Sequence, residues 1–198
     1  APVLTPASLT GAFTPEAFAA HLATVAHLPA WWLDRKRAAY ERFTAAPMPK
    51  RTDESWRFAT LTGLQLDGYV RGGAAPLAQL GHAPVGIAKA GRIVLANNRL
   101  VSVDAVAADL AARGVIFDTL QNALLRHGDL VKSHLLAQPA PQGSEKLAAL
   151  HTAFLEDGAF LYVPRNVEVA GPLAVFHYAH GANSAVFPHT LVVAEAGA

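Results

Sequence analysis

Phe160-Leu161-Tyr162-Val163-Pro164-Arg165-Asn166-Val167-Glu168-Val169-Ala170-Gly171-Pro172-Leu173-Ala174-Val175-Phe176 is the stretch that decides how this chain folds. Three short apolar runs, Phe160–Val163, Val167–Val169 and Leu173–Phe176, are separated by the tight corners Pro164-Arg165-Asn166 and Ala170-Gly171-Pro172. Ordinary hairpins could produce such corners. A parallel β-helix explains them better, because its coils are short strands joined by tight bends. Little more than one coil is visible, so the sequence itself demonstrates no repeat. A single coil cannot bury its apolar face and needs neighbours above or below. The stretch Thr190–Ala198 reads as a strand running straight into the terminus. The expectation is therefore a coil begun over 159–198 and continued beyond the chain end.

Working outward from that stretch, the character changes to helices. Thr14-Pro15-Glu16 combines an N-cap hydroxyl, Pro at the first helical position and an acid in the first turn. Phe18, Leu22 and Val25 follow at helical spacing. A second helix is predicted from Pro29 to about Thr44. Its apolar stripe is Trp32, Leu33, Ala39, Tyr40 and Phe43, and Asp34, Arg35, Lys36, Arg37, Glu41 and Arg42 form its wet side. In the compact segment Lys50–Leu64, Trp56 and Phe58 are the expected anchors. Ile93–Leu95 and Leu100-Val101 read as strands joined at Asn97-Asn98, since Asn tolerates the left-handed backbone of a tight turn. A third helix opens at Ser102 or Asp104 and closes at Gly114. Val115–Phe117 reads as a buried strand, and Asp118 with Gln121 resembles a capping box. Ser144 caps a further helix lined by Leu147, Leu150 and Phe154 and ended by Gly158. The predicted organisation is a flexible arm over 1–13, a helical/α+β region over 14–158 with a linker near 68–84, and the strand-rich part from 159 to 198.

Composition narrows the function classes. The chain has 198 residues, 52% of them hydrophobic and 16% charged, so it can bury a sizeable core. A formal net charge of +1 gives no general attraction to nucleic acid or anionic membranes. There are no cysteines, which excludes disulfides, thiolate nucleophiles and cluster ligation by this chain's own thiolates. It also fits a reducing compartment. No apolar run approaches the ~20 residues of a spanning helix.

Three blocks resemble the SufD family of the SufB/SufD superfamily. The first is Pro29–Phe43, followed by Pro47-Met48-Pro49 and Glu54-Ser55-Trp56-Arg57-Phe58-Ala59-Thr60-Leu61. The second is Ile93–Arg99 with Gly114–Phe117. The third and most specific is Leu150-His151-Thr152-Ala153-Phe154-Leu155-Glu156-Asp157-Gly158-Ala159-Phe160-Leu161-Tyr162-Val163-Pro164-Arg165-Asn166-Val167. His151 stands where the family commonly has Asn, and Asn98 where it commonly has Gly. The Trp-Arg segment is closer to SufD than to SufB. The resemblance implies an α+β fold, with an N-terminal helical/α+β region leading into the first coils of a right-handed parallel β-helix. It implies a cytoplasmic scaffold for iron–sulfur cluster assembly that pairs with SufB-like and SufC-like subunits, mainly through regions downstream of Ala198. No enzyme activity and no cofactor are expected in this chain, and neither nucleic acid nor membrane as partner.

Several groups invite a sharper chemistry and are better explained by structure. Asp157-Gly158 could be catalytic, but Gly158 is expected to stop a helix where φ is positive, with Asp157 satisfying nearby amides. His177, His180 and His189 are the best metal candidates by type. Their segment reads as strand, where a three-residue gap turns two rings to opposite faces. Trp31, Trp32, Arg35, Lys36 and Arg37 could stack on nucleic acid, but an amphipathic helix accounts for them. Arg71-Gly72-Gly73 is too short to cradle a phosphate, and Ser133-His134 lacks a nucleophile elbow. Trp56 and Arg57 form a packing corner, with Trp56 buried and Arg57 paired to a carboxylate or carbonyl. They are also the candidate partner contact. Two rival readings stand beside the scaffold: a β-helix carbohydrate-active enzyme, for which only Glu168 and Glu195 are available, and a free-standing helical binding module over 14–64.

Overall fold

The computed structural model describes residues 11–59, 61, 63–73, 75, 89–138 and 144–198. In chain order the elements are α1 (Pro15–Thr24), α2 (Ala30–Ala45), β1 (Val70–Arg71), β2 (Gly91–Ala96), β3 (Arg99–Asp104), α3 (Ala108–Ala112), β4 (Ile116–Thr119), α4 (Leu120–Arg126), α5 (Gly128–His134), α6 (Glu145–Phe154), β5 (Ala159–Val163), β6 (Leu173–Tyr178), β7 (Ser184–Ala185) and β8 (Thr190–Ala194). They form two units, Ala1–Arg71 with Gln138–Phe154 and Gly72–Ala137 with Leu155–Ala198. Most of the predicted linker, and residues 1–10 of the predicted arm, lie outside the described residues.

In the first unit, Thr14 caps α1 by accepting from the Ala17 amide at 3.2 Å, with Pro15 at the first helical position. Helix α2 buries Trp32, Lys36, Ala39, Tyr40 and Phe43, one face at helical spacing. Tyr40 stacks on Phe18 with ring centroids 4.2 Å apart. Phe154 of α6 meets Phe13 and Phe18 edge-on at 5.1 and 5.7 Å. The Tyr40 hydroxyl donates to the Phe13 carbonyl at 2.9 Å. The described end of the predicted arm, Gly11 to Phe13, is thus packed rather than loose. Phe13 supplies core aromatic surface that its Thr- and Pro-rich neighbours conceal.

Lys36 corrects the expected wet side of α2, because it is fully buried. Its Nζ donates to the carbonyls of Ala153 and Thr152 at 3.2 and 3.4 Å, at the end of α6. Lys146, in the first turn of α6, is equally buried and donates to Phe43 and Ala46 carbonyls at 2.7 and 2.9 Å, at the end of α2. The two helices therefore run antiparallel, and each sends a lysine to the other's C-terminus. Those carbonyls have no intrahelical partner and carry the negative end of the helix dipole. A charge-assisted bond there is worth about 1.5–3 kcal/mol, enough to offset part of the cost of burying an ammonium.

The second unit carries two three-stranded sheets, in the orders β3-β2-β6 and β4-β5-β8. Strands β2 and β3 form the expected hairpin, with Asn97 and Asn98 left-handed at φ 46° and 69°. Strand β6 lies parallel to β2, from Gly91 opposite Leu173 to Ala96 opposite Tyr178. Strand β5 is antiparallel to β4 and parallel to β8, from Ala159 opposite Thr190 to Val163 opposite Ala194. Thus the chain leaves one sheet at Val163, crosses to the other as β6, and returns beside its starting strand as β8. Ile93, Leu95, Phe117 and Ala159 form one core cluster, with Leu161, Leu173 and Val175 packed against it. Leu110, Val115, Val163 and Val167 form another.

Local expectations fail at four points here. Val167–Val169 is not a strand, although Val167 is buried. Ser102 and Asp104 belong to β3, and α3 begins after Ala107 without a side-chain cap. Thr119 caps α4, accepting from the Asn122 amide at 3.1 Å, while Asp118 accepts from the Asn122 side chain and the Gln121 amide goes elsewhere. Gly158 neither ends α6, which stops at Phe154, nor has positive φ. A Cβ there would collide with the His189 carbonyl, so the glycine is required by the close approach of the strand leading into β8. Gly114, by contrast, does adopt φ 89° just past α3, as expected of a residue closing a helix.

Candidate interaction surfaces

The edges of the two sheets are set by the circuit from β5 to β8. Strands β6 and β8 are outer members of their sheets, each with one parallel neighbour. An edge strand presents unpaired N–H and C=O groups that can extend a sheet. Along β8, exposed and half-buried residues alternate, and Val192 is 56% exposed. The corners of the circuit are also stacked. The Tyr162 hydroxyl donates to Glu195 Oε1 at 2.7 Å and the Arg165 amide to Glu195 Oε2 at 3.1 Å. Those two bonds hold the Glu195 carboxyl below its ordinary pKa. Gly197, at φ 78°, packs under the Asn166 side chain, which leaves no room for a Cβ.

Asn97 ties the other end of the circuit together. Its Nδ2 donates to the Gly73 and His180 carbonyls, both at 2.9 Å, and its Oδ1 accepts from the His180 amide at 2.8 Å. Asn98 Oδ1 accepts from the Phe187 amide at 2.6 Å. Sequence reading assigned this pair to a turn alone; the Asn-Asn choice, with two amide side chains where a turn needs none, was the available signal of a second task.

The three candidate metal histidines form no common site, although His177 and His189 are neighbours. His177 sits on β6 with Nε2 3.4 Å from the Thr190 hydroxyl, and His180 is engaged through its backbone by Asn97. Burial lowers the pKa of both His177 and His189, and the neighbouring His177 lowers His189 further. Among the described residues no group of three or more His, Cys, Asp or Glu is placed to hold a metal ion.

A polar cleft of about 310 Å³ is lined by Asn98, Arg99, Thr119, Gln121, Glu156 and Asp157, among others. Asp157 Oδ1 accepts from the Gln121 and Gly158 amides at 3.0 and 2.8 Å. Burial pushes its carboxyl up to about 6 against those two bonds, and the nearby charges of Glu156 and Asp118 act in the same direction as burial. The one hydroxyl in this wall, on Thr119, is committed to capping α4. Asp157 can take up a proton near pH 6, and among the described residues the cleft presents no activated nucleophile. Asp157 joins the start of β5 to the start of α4, as expected of a residue satisfying nearby amides.

The segment Met48–Leu64 presents the predicted partner contact. Trp56 is half-buried in a short 3-10 turn, Glu54–Trp56, and helps line a cleft of about 330 Å³ with Met48, Pro49, Ala59, Leu61 and Leu64. Arg57 pairs with Glu54 at 3.4 Å and lies 4.7 Å from the centre of the Phe58 ring. Phe58 is not an anchor, being 90% exposed. The 3-10 turn sends Trp56 toward the cleft and leaves Phe58 on the outside. The remaining candidates do not converge. Trp32 is buried, Arg35 lies 5.2 Å from the Trp31 ring centre on the same helix, and the Ser133 hydroxyl donates to the Leu130 carbonyl. Arg71 contacts His21 Nδ1 at 2.7 Å.

The sequence model described as "SufBD protein N-terminal region" matches residues 87–175. The iron–sulfur cluster assembly protein SufD of Bacillus subtilis is 29% identical over 171 residues, covering 84% of this chain and 39% of that protein. SufBD family iron–sulfur cluster assembly proteins of Staphylococcus haemolyticus and Staphylococcus aureus are 34% and 33% identical over 90 residues, 46% of this chain and 19% of theirs. The chain is similar to the SufB/SufD family, whose N-terminal region it matches over 87–175. It spans about two-fifths of the length of the Bacillus protein. The residues that match the SufB/SufD family model run from the approach to β2 into β6. They include the Asn97-Asn98 turn and Asp157-Gly158, both of which hold the circuit of strands together. Among the described residues, no helix is long and apolar enough to cross a membrane.

Proposed function

We propose that this chain is the N-terminal part of a SufD-type scaffold subunit for iron–sulfur cluster assembly, which pairs with SufB-like and SufC-like subunits and performs no catalysis itself. The observation that carries the reading is the likeness to a SufD protein over 84% of the chain. In this reading β5, β6 and β8 are the first coil of a right-handed parallel β-helix. The parallel pairs β2–β6 and β5–β8 support it, as do the stacked corners at Asn166 and Gly197. The outer edges of β6 and β8 then receive the following coils, and the resulting solenoid offers SufB a long rigid face. Its place of work is the cytoplasm.

The test is co-expression with the SufB- and SufC-like subunits of the same genome, using this chain and, in parallel, the chain extended by the sequence that follows Ala198 in its gene. Co-elution of the extended chain with both subunits in a defined stoichiometry is expected. Failure of the extended chain to co-elute with either subunit would refute the assignment.

A further inference from the structure

Phe58 is out of place in this chain. Of 9 phenylalanines, seven are buried in the two cores, whereas Phe58 is 90% exposed. Burying such a ring is worth about 1.5–3 kcal/mol, so leaving it in water forgoes a stabilisation that the others secure. Its sequence neighbour Ala59 helps line the cleft of about 330 Å³ formed with Met48, Pro49, Trp56, Leu61 and Leu64. That volume lies at the lower end of the ~300–1,000 Å³ range of ligand sites, enough to seat one or two side chains.

The charged residues that line the cleft have one sign. Its lining includes Lys50 and Arg51 and no acid. Both are exposed, and neither side chain forms an ion pair with a described residue. The acids next to them in sequence are engaged. Asp53 Oδ2 accepts from the Lys50 amide at 2.8 Å, and Glu54 faces Arg57 at 3.4 Å. Arg57, next in sequence to the cleft residue Trp56, also sits over the exposed Phe58 ring at 4.7 Å from its centre. An apolar floor with a cationic rim is complementary to an apolar side chain flanked by carboxylates.

We propose that this cleft docks an acidic segment of a partner protein. One bulky apolar side chain of the partner sits against Trp56, Met48 and Leu64, and its flanking Asp or Glu residues meet Lys50, Arg51 and Arg57. Phe58 closes over the seated side chain from outside. A concave site one side chain wide suits a peptide. A bilayer would instead require a continuous apolar face on an amphipathic helix. The inference concerns the first unit alone and does not depend on the scaffold reading.

The experiment is a titration of the ¹⁵N-labelled chain with two synthetic hexapeptides sharing a leucine–phenylalanine core, one flanked by glutamates and one by lysines. The acidic peptide is expected to give saturable shifts at the Trp56 indole N–H and at backbone amides within 48–64. The lysine-flanked peptide should bind about tenfold more weakly or worse. The double variant Lys50→Glu, Arg51→Glu should reverse that preference, and Phe58→Ser should weaken both peptides. All three side chains are exposed, so unchanged circular dichroism and melting temperature should accompany these effects. The proposal is overturned if neither peptide saturates at millimolar concentration, if both bind equally, or if shifts fall outside 48–64. Binding to phosphatidylglycerol vesicles in place of the peptide would also overturn it.

Discussion

His21 is the residue whose titration should be most visible in the stability of the first unit. It is fully buried, with Lys36 Nζ 3.1 Å from one ring nitrogen and Arg71 at 2.7 Å from the other. Burial first, then the charges of Lys36 and Arg71, lower its pKa to about 3 from an ordinary 6.5. The unfolded chain therefore binds this proton first as the solution is acidified. The contribution of His21 is complete above pH 6.5 and is lost as pH falls toward 3, at about 1.4 kcal/mol per pH unit. Thermal melts from pH 8 to pH 4 should show that slope, and His21→Gln should flatten it. Asp157 has the opposite sign. Its folded value of about 6 exceeds the ordinary 3.8, so what it contributes is present at low pH and lost as pH rises through 6. Asp157→Asn keeps an acceptor for the Gln121 and Gly158 amides without the charge. It should stabilise the second unit by about 1–3 kcal/mol at pH 7.5 and by much less at pH 4, read from urea midpoints. Equal destabilisation at both pH values would mean that the carboxylate is held more favourably than its burial implies.

Among elements, the antiparallel pair α2 and α6 depends on its exchanged lysines. Lys146→Met leaves the Phe43 and Ala46 carbonyls without that donor and should cost about 1–3 kcal/mol in urea unfolding. Lys146→Arg should fail to restore it fully, because the guanidinium is larger than the space an ammonium fills in a close-packed core. The return of β8 beside β5 depends on Gly158. Gly158→Ala forces a methyl group against the His189 carbonyl and should cost about 1–3 kcal/mol or more. Its effect should appear as faster hydrogen exchange in β5 and β8 with α4 little changed. These two devices explain what was legible in the sequence and what was not. Thr14, Ser144, Gly114 and Asn97-Asn98 announce their elements because caps and turns are local chemistry. Lys36 reads as a solvent residue because its partners are carbonyls 116 and 117 positions away. Gly158 reads as a helix stop because the strand that presses on it arrives from a distant part of the chain.

For the whole molecule, the corners and apolar runs from Phe160 onward were enough to anticipate short strands at Phe160–Val163 and Leu173–Phe176. They were not enough to show which strands these join. The middle run, Val167–Val169, packs its valines into a core without pairing as a strand, since burial and ladder formation are separate requirements. Strand β2, with Gly91 standing opposite Leu173 from far upstream, becomes the parallel neighbour of β6 by a pairing that no local pattern encodes. The Trp56 corner was legible as a cluster of large residues, and the side of the turn on which each would lie was not. The central claim is the proposal that the outer strands β6 and β8 border the first coil of a β-helix. Native-state hydrogen exchange on this chain, compared with the chain extended past Ala198, tests it most directly. Alternate amides of β6 and β8 should exchange rapidly in residues 1–198 and become protected in the longer chain. Unchanged protection along both strands would contradict the claim.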